Sequence, residues 1–372
     1  MNNSHLFKPN LSRRQFLKTS AASLSCAALS GCGWTLAQVR PDPVQQSNSN
    51  QLYIYTWAGY TDENLISSFT AATGVKVLAD VFDANETMLN KVQAGGANAY
   101  SIIYPSDYMV RQMLELGLLV KFDQNRLYGL NNLLPKFKNA AYDPNNSHSV
   151  PVAWGTTGLI YNTKKLQQPI EDWDDLWKNQ KQLSRRMTLI NDVREVMGAV
   201  LRMLGYSYNS TNGGQLKQAY EKLKILKPAL ASLTTDAWKE QLLAGDLLLA
   251  MCYSADAAEA IEENPDLRYV IPASGTSLWT DTMVIPKFAP NVDAAYEWIN
   301  FMLQPTVAAS VTERLNFGTP NQTAIKQLPT KIRDNPSIFA PESILDKCER
   351  ITPLDKKISD EYDRYWTQLT SS

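Results

Sequence analysis

The chain has 372 residues, 44% of them hydrophobic and 20% charged, with 36 basic and 37 acidic side chains. This is the composition of a globular protein long enough for two lobes, and its near-zero net charge lacks the basic excess of a nucleic-acid binder. It has only two histidines, His5 and His148, too few for a His-rich metal site.

Residues 1–31 read as a cleavable leader. Ser12-Arg13-Arg14-Gln15-Phe16-Leu17-Lys18 has the paired arginines of a twin-arginine export signal. The small-residue run from Thr19 to Gly31 is shorter than the roughly 20 apolar residues of a membrane span, and it suits the apolar part of a leader. Leu29-Ser30-Gly31-Cys32 has the pattern of a lipobox, which predicts an acylated Cys32 as the first mature residue. A single acyl chain anchors only marginally, so firm tethering needs more than one. Export removes Lys8, Arg13, Arg14 and Lys18 and no acid, leaving 32 basic against 37 acidic side chains, a net −5. That sign favours a cationic ligand. Residues 32–50, rich in Gln, Pro, Ser and Asn, read as a flexible tether. Cys26 leaves with the leader, so Cys252 and Cys348 are the internal thiols, either bonded to each other or free.

The ordered part begins at Leu52. Leu52 to Trp57 is aromatic and β-branched, a predicted strand. Asp62 opens a helix with Leu65, Ile66, Phe69 and Ala72 on one face, and Gly74 stops it. Val75 to Val81 alternates as a strand. A helix with Met88, Leu89 and Val92 follows, then the short strand Tyr100 to Tyr104, then a helix from Pro105-Ser106 through Leu116. This strand–helix alternation implies a parallel-type sheet with right-handed crossovers. A second unit follows Val150-Pro151-Val152-Ala153-Trp154-Gly155. Its predicted strands are Gly158 to Tyr161, Met187 to Ile190, Leu247 to Met251, Tyr269 to Pro272 and Trp279 to Pro286. Its predicted helices cover Trp173 to Trp177, the segment through Leu204, Leu216 to Leu226 and Ala294 to Met302.

Ligands of such sheets sit beyond the carboxyl ends of the strands. Those ends collect Trp57, Tyr60, Ser106, Tyr108, Asp192, Glu195, Tyr253, Asp256, Trp279 and Asp281, with Arg194 the one cation among them. Aromatic faces attract ammonium groups by about 0.5–2 kcal/mol each, and carboxylates make charge-assisted bonds to them. The set suits an elongated organic polycation. Each member also has a plainer reading. The tryptophans suit a core, Asp192 suits a helix N-cap with Glu195 at the capping-box position, and Asp256 and Asp281 suit turns.

At these residues the chain resembles the periplasmic spermidine/putrescine-binding proteins of bacterial ABC transporters. The resemblance runs from Leu52 to Leu369. It is carried by Leu52-Tyr53-Ile54-Tyr55-Thr56-Trp57, Asn85-Glu86-Thr87-Met88, Pro105-Ser106-Asp107-Tyr108, Asp143-Pro144-Asn145-Asn146, Asp192-Val193-Arg194-Glu195-Val196, Trp279-Thr280-Asp281 and Gly318-Thr319-Pro320-Asn321. It implies an α/β fold of two hinged lobes around a ligand cleft, the type II periplasmic-binding-protein fold. Lobe one would be residues 51–156 plus 280–322, and lobe two 157–279 plus 323–372.

By the same resemblance Trp57, Tyr60, Tyr108 and Trp279 sandwich the methylene chain, Ser106 bonds at its edge, and Asp192, Glu195 and Asp281 hold amino groups. Tyr253 stands where the spermidine binder has a tryptophan. Ala58-Gly59 stand where the family shows a hydroxyl residue and an acid, so one carboxylate is lost. Asp256 matches an acid of the putrescine type, and Glu349 stands near a polar amide of the spermidine type. The implied partners are a polyamine, an inner-membrane ABC permease and a membrane surface through the lipid. The protein would be a periplasmic, lipid-anchored monomer with no catalytic role, cofactor or metal.

Other readings stay open at this point. Tyr53, Tyr55, Tyr60, Tyr104 and Tyr108 are candidates for iron(III) in a protein of the same fold, and the aromatics and acids also suit a sugar. Asp192 with Glu195, or Asp256 with Asp281, have the composition of a glycosidase acid/base pair. A sensor in place of a transporter would carry the same residues.

Overall fold

The computed structural model describes residues 50–166 and 168–371. The leader, Cys32 and the tether up to Ser49 lie outside the described residues. Strand β1 (Gln51–Trp57) is followed by helix α1 (Glu63–Thr73). Asp62 caps that helix by accepting the Leu65 amide at 2.7 Å. Gly74 ends it at φ 73°, a left-handed conformation that glycine adopts without cost. Next come β2 (Lys76–Phe82), α2 (Asn85–Gln93), β3 (Ile102–Ile103) and α3 (Asp107–Glu115). Both β2 and β3 pair in parallel with β1, as the strand–helix alternation predicts.

The later strands are β4 (Ser149–Asn162), β5 (Met187–Leu189), β6 (Leu230–Leu233), β7 (Leu249–Tyr253), β8 (Leu267–Val270) and β9 (Leu278–Val284). The longer helices among them are α4 (Val193–Met203), α5 (Gly213–Leu226), α6 (Ser254–Glu263), α7 (Val292–Met302), α8 (Pro305–Leu315) and α9 (Lys356–Ser371). The sheet is mixed, not parallel throughout. Its order is β2-β1-β3-β9-β4-β7-β5-β6, with β8 also on β4. Strand β9 enters antiparallel to both β3 and β4.

Strand β4 carries the architecture. Its first half, Ser149 to Thr156, pairs with β9, and its second half, from Thr157 on, pairs with β7 and β8. Thirteen of its 14 residues are buried. The sequence reading broke this stretch into a linking hexapeptide and a strand at 158–161. One continuous strand forms because both of its faces are covered, which removes the alternation that marks a half-exposed strand.

Two main cores flank the sheet's midline. In the first, Leu52, Ile54, Phe69, Ile102 and Tyr104 pack under α7 with Trp298 and Ile299, and Tyr55, Met88, Ile103 and Met109 fill the opposite face. In the second, Leu159, Leu189, Met197, Leu201 and Leu223 pack with Tyr362 and Leu369 of α9. The segment between α8 and α9 packs in two smaller clusters. Ala324 and Leu328 pack with Ala309 of α8, and Leu345 packs with Phe137, Trp154 and Leu278. Cys252 and Cys348 are free thiols.

Gly155 sits on β4 opposite Trp279 of β9. A Cβ at Gly155 would run into the Trp279 ring and the Ser254 hydroxyl, which itself accepts the Thr156 amide at 3.2 Å. Gly155→Ala is expected to cost about 1–3 kcal/mol of stability through overpacking. Urea unfolding would show this as a lower midpoint at unchanged m-value; an unchanged midpoint would mean that the ring and hydroxyl move aside freely.

Candidate functional site

The site is built on the ends of β1, β3, β7 and β9 and the first turns of α2, α3, α4 and α6. Asp281 is its centre. It lies on β9 opposite Ala153 of β4 and is bridged on the other side to Ser106. Its carboxylate is buried and accepts from two hydroxyls, Tyr60 at 2.5 Å and Ser106 at 2.7 Å. Ser106 is held in turn by Asn85, whose amide donates to its hydroxyl at 3.0 Å and whose carbonyl oxygen accepts its N–H at 3.1 Å. No cation pairs with Asp281 among the described residues. Burial pushes its pKa up to about 6, the field of Asp107 adds to the rise, and the Tyr60 and Ser106 hydrogen bonds oppose it. Tyr60 is driven well up by burial and by the fields of Asp281 and Asp256, so it stays a neutral donor.

Asp192 and Glu195 sit at the start of α4. Asp192 caps the helix through Oδ1, which accepts the Arg194 and Glu195 amides at 2.8 and 3.1 Å. The cap uses only one oxygen, and Oδ2 has no hydrogen-bond partner among the described residues. Glu195 does not close a capping box. Its carboxylate turns inward, where Oε2 accepts the Tyr208 hydroxyl at 2.7 Å and the Ser277 hydroxyl at 2.8 Å. Burial and the charge of Asp192 raise Glu195 to about 7, against the pull of those bonds. Asp256, in the first turn of α6, has no ion pair among the described residues. Burial and the neighbouring charges of Asp236 and Glu259 raise it to about 6, and Lys239 opposes them.

The rings stand around these acids. Tyr253, whose hydroxyl feels Asp192, Glu195, Tyr108 and Asp256, meets Trp279 edge to face with centroids 6.1 Å apart. Trp57 tilts against Phe82 at 4.3 Å, and Tyr60 against Phe317 at 5.4 Å. Trp57, Tyr60, Tyr108, Tyr253 and Trp279 are all half-buried. Of these, Tyr60 donates to Asp281 and Tyr108 to Glu86.

Glu349 does not stand with this group. Its carboxylate is taken by Arg202 at 3.0 Å, the Ser207 hydroxyl at 2.6 Å and the Tyr208 amide at 3.2 Å. A guanidinium already neutralises it, and Arg202, 147 residues away, carries no local signal of this pairing. The sequence reading also missed three participants. Asn85 orients Ser106, Glu86 accepts the Tyr108 hydroxyl at 3.0 Å, and Arg350 pairs with buried Asp107 at 2.8 Å while donating to the Thr280 hydroxyl. Asn85 and Glu86 follow directly on β2, so their place at a strand end was legible. Arg350 comes from a distant loop and left no local trace. Among the described residues no three His, Cys, Asp or Glu side chains cluster as metal ligands.

The pattern of the bacterial extracellular solute-binding proteins matches residues 64–340 of the chain. The chain belongs to that family. A spermidine/putrescine-binding periplasmic protein of Salmonella typhimurium is 35% identical over 324 residues, covering 87% of this chain and 92% of that one. The solved spermidine/putrescine ABC transporter substrate-binding protein PotD of Streptococcus pneumoniae superposes with a TM-score of 0.78 at 36% identity, covering 86% of this chain and 98% of that one. A PotD lipoprotein of Treponema pallidum gives 0.78 at 27% identity, over 87% of this chain and all of that one. The two-lobed α/β fold follows from these likenesses.

The raised acids have a consequence for stability. A carboxyl with a higher pKa folded than unfolded binds more protons in the native state between about pH 4 and 7, so its contribution to stability falls as pH rises through that window. Asp281→Asn removes one such group. Its melting temperature is expected to match the wild type at pH 4.5 and to exceed it at pH 7.5, relative to that baseline. A difference independent of pH would show that Asp281 titrates as an ordinary carboxylate.

Proposed function

We propose that the protein is the substrate-binding component of an ABC importer that captures linear polyamines, putrescine and/or spermidine, and hands them to a permease in the inner membrane. The observation that carries this reading is Asp281: a buried carboxylate, held among the described residues only by neutral hydroxyls, with half-buried rings beside it. Burying such a charge without a cation is costly, and an ammonium group restores the balance. Asp281, Asp256, Asp192 and Glu195 would hold amino groups, while Trp57, Tyr60, Tyr108, Tyr253 and Trp279 would pack the methylenes between them. Ser106 would bond at the edge of the chain. Glu349, spoken for by Arg202, would act on the ligand only at a distance. The names of the Salmonella and Streptococcus relatives support the ligand class.

The lobes in this reading are residues 51–156 plus 280–322 and residues 157–279 plus 323–372, with the β4–β9 pair running from one to the other. Closure about that pair would bring Tyr253, Asp192 and Glu195 onto the Asp281 side and strip water from the ligand. No bond is made or broken, so the protein is a carrier and not an enzyme. It would act in the periplasm as a monomer, with the leader at 1–31 and acylated Cys32 tethering it through residues 32–50. The Treponema relative is likewise named a lipoprotein.

Calorimetric titration of the leaderless protein with putrescine, spermidine and spermine tests the reading. Saturable one-site binding of at least one is expected. Asp281→Asn, which leaves an ammonium buried against a neutral amide, is expected to weaken it by about 2 kcal/mol or more. Absence of heat with all three amines would refute the function.

A further inference from the structure

Tyr60 reaches Asp281 from a loop with little internal structure. Residues 58–62 join β1 to α1, and Ala58 and Gly59 are exposed. Gly59 stands at φ 77°, in the left-handed region that glycine enters without cost. Within the loop the Tyr60 N–H donates to the Trp57 carbonyl at 3.3 Å, a long bond. A hydroxyl held 2.5 Å from a buried carboxylate needs firmer support than that.

The support comes from Arg314, in the last turn of α8. Its Nε pairs with Asp62 Oδ2 at 2.8 Å. Its two terminal nitrogens donate to the backbone carbonyls of Gly59 and, at 3.2 Å, of Tyr60. Every hydrogen bond of this guanidinium among the described residues therefore goes to the one loop. A planar fork with fixed donors suits acceptors presented side by side, which the point charge of a lysine does not. Asp62 is itself fixed, because its other oxygen caps α1. The residues after Arg314 pack the loop as well. Leu315 comes within 3.6 Å of where a Cβ on Gly59 would stand, and the Phe317 ring tilts against Tyr60.

Arg314 is anchored in turn to the strand that carries the site. Asn316 closes α8 at φ 53°, and two residues on Gly318 exchanges both backbone bonds with Trp154 of β4, each 2.9 Å. Trp154 pairs on its other side with Thr280 of β9, the neighbour of Asp281. Tyr60 and Asp281 are thus tied to one ladder by two routes, Asp281 directly and Tyr60 through Arg314.

We propose that Arg314 is a positioning residue of the site: by clamping the 59–62 loop it sets the Tyr60 hydroxyl on Asp281, and so prearranges the carboxylate that receives an ammonium group. The consequence for the ligand rests on the polyamine reading; the placement of Tyr60 does not.

Arg314→Met removes the fork and keeps an apolar stem. Calorimetry is expected to show the amine that the wild type binds weakened about tenfold, equal to 1.4 kcal/mol. The loss is expected to fall below twofold where Tyr60→Phe has already removed the hydroxyl, which separates an effect through Tyr60 from a general loosening. Arg314→Lys keeps the charge without the fork and is expected to fold as the wild type and show the same effects at smaller size. In amine-free protein the Asp281 carboxyl, followed by carbon NMR, is expected to titrate higher in Arg314→Met than in the wild type, because the Tyr60 bond that pulls it down is weakened. On the Tyr60→Phe background Arg314→Met is expected to leave that midpoint unchanged. No loss of affinity, equal losses on both backgrounds, or an Asp281 midpoint indifferent to Arg314 would overturn the positioning role while leaving the polyamine function intact. A wild type that binds no amine, but whose Asp281 midpoint follows Arg314, would overturn the polyamine reading alone.

Discussion

The structure turns on a buried carboxylate without a counter-charge. Asp281 sits on the strand that joins the two halves of the sheet, and among the described residues its carboxylate accepts only from Tyr60 and Ser106. Two neutral hydroxyls lower the cost of burying the charge but do not remove it, since they pull its pKa down while burial holds it near 6. Glu195 repeats the arrangement with Tyr208 and Ser277, and Asp256 is raised with no bonded partner among the described residues. A fold that tolerates several such groups has put part of its stability into a prearranged field. By contrast, the buried Asp107 is paired with Arg350 and the partly exposed Glu349 with Arg202. The contrast is local, and it marks which acids are left for a ligand.

Strands β4 and β9 explain how these groups come to one place. Trp279 and Asp281 are two residues apart on β9 and point to the same face, opposite Gly155 and Ala153 of β4. Two residues beyond Gly155, Thr157 pairs with Tyr253 at the end of β7. The ladder therefore sets Asp281, Trp279 and Tyr253 in a fixed series through backbone pairing. In the proposed reading, closure about this ladder would bring the acids of α4 toward Asp281 of β9.

Much of this was legible in the sequence, and the failures have physical causes. The strand–helix alternation from Leu52 to Leu116 showed itself because its helices bury one face each and the first is capped by Asp62 and stopped by Gly74. β4 was split because it is buried on both faces and has no alternation to read. The antiparallel entry of β9 was invisible, since its partners β3 and β4 are far away in sequence. Helix α6 was passed over because its alanines give a weak apolar stripe, yet Ala257 and Ala260 pack fully against Ile160 and Leu267. The candidate acids were chosen by their position at strand ends, a rule of topology. What that rule does not supply is the state of each acid, which depends on partners such as Arg202 and Tyr208 that only the fold brings near.

The most direct test is to follow the Asp281 carboxyl itself by carbon NMR in protein labelled at aspartate, with Asp281→Asn assigning the signal. In the free protein the carboxyl is expected to titrate near pH 6 and, with a saturating polyamine, to drop into or below the ordinary aspartate range of about 3.5–4. A carboxyl that already titrates in that ordinary range in the free protein, and does not move when the amine is added, would contradict the account of the site as a field of unpaired acids awaiting an ammonium.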